Sequence, residues 1–183
     1  LLATDEATLN LVVQASITQV AEPVMADRLD VAGVRKALET LMAGGVEGRR
    51  QGRGFYTYED GQRIGANPEV LGILGVSPVE VDPTVVGERL LLAFATECWR
   101  CDADGTICHP DDGDVAAVLG IGFPRLLGGP FHWADEVGAT EIVARCDALG
   151  EAFEPGPELR RLATEGGRLA DLPRRPAPFA DRG

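Results

Sequence analysis

Lysine is almost absent from this chain, with Lys36 alone against 16 arginines in 183 residues. Basic charge is scarce as a whole: 29 acidic side chains outnumber 17 basic ones, leaving a formal charge of -12. A field of that sign repels phosphate backbones and anionic lipid surfaces, which argues against nucleic acid as a partner. No apolar run approaches the roughly 18 residues that a membrane span needs, and the start lacks the basic region and cleavage site of a secretory signal. No Gly-x4-Gly-Lys loop occurs, so a nucleotide triphosphate site of that type is excluded. Histidine is down to His109 and His132, and neither stands beside a serine or cysteine in a nucleophile motif. Cysteine is limited to Cys98, Cys101, Cys108 and Cys146. A chain able to build its own core needs no disulfide staples, so a reducing compartment is expected.

What is present is a globular composition, 45% hydrophobic and 25% charged. Apolar positions Leu9, Val12, Val13, Ile17 and Val20 fall at helical spacing, and Pro23 is expected to stop that helix. Val31, Val34, Leu38, Leu41 and Met42 mark a second helix, capped by Asp30 and ended by Gly44-Gly45. Phe55-Tyr56-Thr57-Tyr58 before Glu59-Asp60-Gly61 predicts a short extended segment and a turn. Asp82-Pro83 opens a long helix through Val86, Leu90, Phe94, Glu97 and Cys101, ending near Asp102 to Gly105. The acidic stretch from Asp111 to Asp114 reads as a solvated loop that caps a short helix. The Gly/Pro-rich loop from Gly120 to Pro130 follows, and then further helices around Ile142 to Leu149 and Glu158 to Glu165.

Three apparent sites fail on closer reading. Cys98, Cys101, Cys108 and His109 have zinc-like spacing, but Cys98 and Cys101 fall toward the C-terminal end of the long helix, where the dipole disfavours a thiolate. The aspartates between Asp102 and Asp114 lack the spacing of a calcium loop. Gly120-Ile-Gly122-Phe-Pro-Arg125 has arginine where a dinucleotide fingerprint needs its third glycine, and no strand precedes it.

Two loops carry a resemblance. Arg50-Gln-Gly-Arg-Gly-Phe-Tyr-Thr-Tyr58 is similar to the segment that closes the C-terminal domain of 3-hydroxyacyl-CoA dehydrogenases. The run Gly120-Ile-Gly-Phe-Pro-Arg-Leu-Leu-Gly-Gly-Pro-Phe-His-Trp-Ala-Asp-Glu-Val-Gly138 resembles the signature near the end of the alpha subunit of the multifunctional fatty-acid oxidation enzymes. The helix bearing Glu88-Arg89 and Glu97 to Cys101 matches as well, so the likeness runs from about Gly48 to Leu169.

The resemblance implies an all-α fold, a helical repeat of the 6-phosphogluconate-dehydrogenase C-terminal-like class. In that family an N-terminal hydratase module precedes an NAD-binding Rossmann domain and two related helical domains. Residues 1–58 are then expected to be the latter part of the first helical domain, 59–80 a connector, 81–172 the second copy and 173–183 a mobile tail. The start at Leu1-Leu2, without methionine, leads us to expect a fragment lacking the Rossmann domain. The implied reaction is NAD-dependent oxidation of 3-hydroxyacyl-CoA to 3-ketoacyl-CoA in fatty-acid β-oxidation. Its histidine base and its NAD belong to the Rossmann domain, so no catalytic, cofactor-binding or metal residue is expected in this chain. Thr96 stands where the second copy often carries asparagine.

The chain's expected contribution is domain packing and a wall on the substrate side. Gly122, Phe123, Pro124, Gly128, Gly129 and Pro130 are expected to form a rigid inter-domain loop. Arg49, Arg50 and Arg53 are candidates to meet the CoA phosphates, the alternative being a surface turn that offsets nearby carboxylates. Implied partners are the Rossmann domain of the same enzyme, acyl-CoA and a thiolase subunit, and the implied compartment is a bacterial cytoplasm. A non-catalytic helical module that binds acyl-CoA or a thiolase partner is the alternative.

Overall fold

The computed structural model describes residues 11–26 and 30–176, and the chain divides into two compact units, one up to Glu80 and one from Val81. Eight α-helices and one two-stranded sheet occur among the described residues.

In the first unit α1 spans Leu11–Met25 and α2 spans Val31–Ala43. Pro23 lies inside α1, so the helix runs two residues past the expected stop. The proline sits in the last turn, where its missing N–H forfeits a single bond to the Gln19 carbonyl. The inward face of α1 also differs from the one read off the apolar spacing. Leu11 and Thr18 are buried, whereas Val12, Val13, Ile17 and Val20 are exposed; Leu9 lies outside the described residues. Large side chains mark a helix face, but they do not say which face a small neighbouring core will accept. The helix α2 follows the sequence closely. Asp30 Oδ1 accepts the Gly33 N–H at 2.8 Å, Leu38 and Leu41 are buried, and Gly44 closes the end.

Residues 59–80, expected as a connector, carry the end of a hairpin and a helix. Strands β1 (Tyr56–Glu59) and β2 (Gln62–Ala66) pair antiparallel, with Tyr56 opposite Ala66 and Glu59 opposite Gln62. Asp60 and Gly61 both take positive φ (49° and 75°), as a two-residue turn joining right-twisted strands requires. Asn67 is buried behind the hairpin. Its amide donates to the Gly54 carbonyl at 2.9 Å, and its Oδ1 accepts the N–H of Glu69, the first residue of α3 (Glu69–Leu74). Leu11, Leu38, Leu41, Val46 and Val70 form the core of this unit.

The second unit is built on α4, Pro83–Ala103, with Asp82 as its cap (2.8 Å to the Thr84 N–H) and Pro83 at its first turn. Helices α5 (Pro110–Gly120), α6 (Pro130–Val137), α7 (Ala139–Leu149) and α8 (Pro157–Glu165) follow, and a short 3-10 turn, Leu169–Asp171, comes after α8. Leu92, Ala95, Trp99, Phe123, Phe131, Ile142, Leu159, Leu162 and Leu169 share one core. The acidic stretch is helical rather than a loop: α5 begins at Pro110, so Asp111, Asp112 and Asp114 are helix residues. His109 is the cap, its Nδ1 accepting the Asp111 N–H at 3.2 Å, a role that uses the unprotonated nitrogen.

The expected mobile tail is anchored at its near end. Arg175 N–H donates to the Cys108 carbonyl at 2.8 Å, and the guanidinium of Arg174 pairs with Asp112. Residues 177–183 lie outside the described residues.

Candidate functional site

The arginine turn belongs to the first unit. Arg49 and Arg50 occupy a 3-10 turn, Arg49–Gln51, which Gly52 ends in the left-handed conformation. Arg49 donates to the Gly61 carbonyl at 2.7 Å and lies 6.0 Å from the Tyr58 ring centre, so it ties this turn to the hairpin turn. Arg53 forms an exposed ion pair with Glu69. Arg50 is exposed, and Arg63 on β2 stacks 4.8 Å from the Tyr56 ring centre. The three candidates therefore share one end of the hairpin but divide their attention: Arg49 ties the two turns together, Arg53 pairs with Glu69 at the surface, and Arg50 faces solvent. Arg63, with the Tyr56 ring it stacks on, is not among the candidates the sequence offers, although the alternation of arginine with aromatics around a turn is the signal that marks it.

The Gly/Pro loop belongs to the second unit and is organised around an aspartate. Gly122 (φ 82°) turns the chain so that the Phe123 N–H reaches the Ala117 carbonyl at 3.0 Å, and the Phe123 side chain is driven into the core. Its ring meets Phe94 of α4 at 5.3 Å with a 60° tilt. Pro124 leads into a 3-10 turn, Arg125–Leu127, which ends at Gly128 in the left-handed conformation. Leu126, on this turn, is fully exposed. Gly129 has φ 130°, a conformation that a residue with a Cβ rarely adopts, and a Cβ there would collide with Asp114. Pro130 is the buried first residue of α6.

Asp114 explains that close approach. Its Oδ1 accepts the Phe131 N–H at 2.8 Å and its Oδ2 accepts the His132 N–H at 3.0 Å. A carboxylate on α5 thus satisfies two of the orphan amides at the start of α6. Burial pushes the Asp114 carboxyl up, and these two amide bonds pull it down. Asp135 does the same for the last 3-10 turn, accepting Leu169 N–H at 2.7 Å and Ala170 N–H at 3.0 Å. Neither role is visible in local spacing, because each cap lies far along the chain from the amides it serves. The buried residues of the loop thereby contribute to the core of their own unit.

The third feature is the corner between α4 and α5. An apolar cavity of about 290 Å³ is lined there by Phe94, Cys98, Cys101, Ile107, Ala117 and Ile121 among others. Burial, with Cys101 and Glu97 nearby, pushes the Cys98 thiol up to about 12, so it stays protonated and unreactive at neutral pH. Cys146, buried in the core, is pushed up to about 11 by desolvation. No three His, Cys, Asp or Glu side chains gather in a metal-holding group among the described residues. Thr96, at the position noted for asparagine, is buried, its hydroxyl donating to the Ala93 carbonyl at 3.1 Å.

On the far side of the corner, Asp102 is buried in the last turn of α4, its side chain only 4% exposed. Its Oδ2 accepts from Arg175 at 2.9 Å, and the same guanidinium also reaches the Asp102 carbonyl. Burial raises the Asp102 carboxyl, Arg175 lowers it, and Glu158 raises it further. Asp102 Oδ1 and the Trp99 indole N–H have no hydrogen-bond partner among the described residues.

Comparison with known proteins gives these features a context. No family profile matches the chain. The fatty acid oxidation complex subunit alpha of Shewanella sp. strain MR-7 is 35% identical to it over 86% of the chain. The protein of the same name from Shewanella oneidensis is 36% identical over 86%, and that from Shewanella baltica strain OS185 is 35% identical over 84%. The chain spans 22–23% of the length of these relatives. No helix among the described residues is long and apolar enough to cross a membrane. The mainly helical fold and this identity agree with the two quoted loops: the chain is a homologue of part of the fatty acid oxidation complex alpha subunits.

Proposed function

We propose that this chain supplies the C-terminal helical part of an NAD-dependent 3-hydroxyacyl-CoA dehydrogenase of fatty-acid β-oxidation, working in a bacterial cytoplasm. The observation that carries this reading is the 35% identity, over 86% of the chain, to proteins named for fatty acid oxidation. The residues themselves fit a supporting role. His109 spends a nitrogen on capping α5, and the sequence offers no dinucleotide fingerprint. Hydride transfer would be supplied by NAD on a separate domain, and the present residues would pack beneath the substrate cleft. Mixing or fusing the chain with the NAD-binding part of a relative, and following NADH oxidation by a 3-ketoacyl-CoA, tests this. The fusion should turn over and the chain alone should not. Turnover by the chain alone, or an NAD-binding part that is equally active without it, would overturn the reading.

Within this reading the arginine turn is the place on the chain where CoA phosphates would meet positive charge. Arg50 is exposed, and the Arg53–Glu69 pair is an exposed one that phosphate can displace at small cost. Replacing Arg50 and Arg53 together by alanine should weaken CoA binding at least about tenfold in low-salt calorimetry, tenfold being the loss of a single charge-assisted contact. Equal affinity would remove the phosphate role and leave a basic surface turn that offsets nearby carboxylates.

A further inference from the structure

The residues after the last 3-10 turn return to the corner between α4 and α5 and hold it at three points. Arg175 grips Asp102 at the end of α4, its backbone N–H bonds the Cys108 carbonyl within the corner, and Arg174 binds both carboxylate oxygens of Asp112 in the first turn of α5. The same corner is one wall of the apolar cavity, since Cys101, Thr106, Ile107 and Gly113 line it from the inside. We propose that residues 173–176 are a latch on that wall: docked, they fix the corner and hold the cavity in its present shape, and released, they let the corner swing and the cavity widen.

The chemistry of the latch supports a contact that lets go. Two of the three attachments are arginine–carboxylate pairs, one exposed at Asp112 and one at a buried carboxylate with its second oxygen unpartnered. Releasing Arg175 would leave a buried carboxylate without its partner, so the strap rests docked, whereas the exposed Arg174–Asp112 pair weakens as salt rises and is the end that loosens first. Asp102 is also a carboxylate at a helix C-terminus, where the helix field opposes it, so Arg175 offsets an unfavourable placement when docked. Prolines at 173 and 176 bound the strap and restrict its backbone, which narrows the conformations lost on docking.

The molecule carries its own reporters. Cys98 and Cys101 face the cavity, while Cys146 is in the core away from it, so thiol labelling resolved by peptide mass separates cavity opening from global unfolding. Trypsin cleavage between Arg174 and Arg175 reports strap release. With Arg175→Ala in the full chain, cleavage after Arg174 and labelling of Cys98 and Cys101 should both rise at least about tenfold, the change in a local opening equilibrium when the guanidinium's bonds to Asp102 are lost. Cys146 labelling should not move. In the wild-type chain, 1 M salt should push both reporters the same way, and Asp102→Asn should do so without removing the strap's own charge. Faster cleavage with unchanged Cys98 and Cys101 labelling would overturn the proposal, because the strap would be free and the wall unmoved. Unchanged cleavage would overturn it too, and parallel acceleration of Cys146 would assign the effect to global instability.

Discussion

Removing the carboxylate of Asp114 is the sharpest test of how the second unit is held. In Asp114→Ala the Phe131 and His132 amides, bonded at 2.8 Å and 3.0 Å, lose their acceptors. A hydrogen bond to a charged group contributes about 1.5–3 kcal/mol, so two would give twice that if independent. They are not independent: the carboxylate has been desolvated to make them, and water can reach the exposed His132 amide after truncation. The net cost is therefore about 2–4 kcal/mol, set mainly by the half-buried Phe131 amide. For a unit of roughly a hundred residues that corresponds to a fall in melting temperature of about 8–25 °C. Asp114→Asn keeps one acceptor but turns its NH2 toward the second amide, so its melting point should fall between those of wild type and alanine. Thermal unfolding followed by circular dichroism at 222 nm measures all three proteins. An Asp114→Ala protein melting within about 2 °C of wild type would refute the capping argument, and so would an asparagine variant less stable than alanine.

Gly129→Ala should destabilise by about 2–4 kcal/mol, combining a backbone conformation nearly reserved for glycine with the collision against Asp114. In an Asp114→Ala background the same change should cost clearly less, and a double-mutant cycle without coupling would deny the contact. Acid sensitivity should arise at Arg160, whose ion pairs hold the Asp147 and Glu154 carboxyls below their ordinary values of 3.8 and 4.5. Lowered folded-state values mean stabilisation that is complete above the unfolded values and is lost as pH falls through the folded ones. The melting difference between wild type and Arg160→Gln should accordingly be constant above about pH 5.5 and shrink below pH 4, and a difference that grows in acid would contradict the assignment.

Much of the helical order could be read from the chain because its punctuation is local. Asp30, Asp82 with Pro83, Gly44 and the Asp60-Gly61 turn each act within a few residues, and each does in the structure what its residue type favours. The inward face of α1 escaped that reading because Val13, Ile17 and Val20 outweigh Ala15 and Thr18 in any apolar count, and only the partner helix decides which stripe is covered. Spacing is silent for a related reason on whether Asp111 to Asp114 lie inside α5: carboxylates at a helix start look the same whether the helix begins before or after them. The role of Asp114, the grip of Arg175 on Asp102 and the buried Asn67 bridge needed three dimensions, since each joins segments that are remote or turned away in sequence.

The remote caps have a consequence for the way the second unit assembles. Helix α6 has only eight residues, too few to persist alone in water, and the side chain that completes its start lies 17 residues earlier on α5. The closing 3-10 turn depends in the same manner on Asp135, which α6 carries 34 residues upstream. Because α5, with eleven residues, is itself too short to persist alone, the dependence runs both ways: α5, α6 and the turn at Leu169 are coupled in series through these caps. Amide protection at Phe131 and His132 should accordingly rise and fall together with that at Leu169 and Ala170, so that the short elements open as one block.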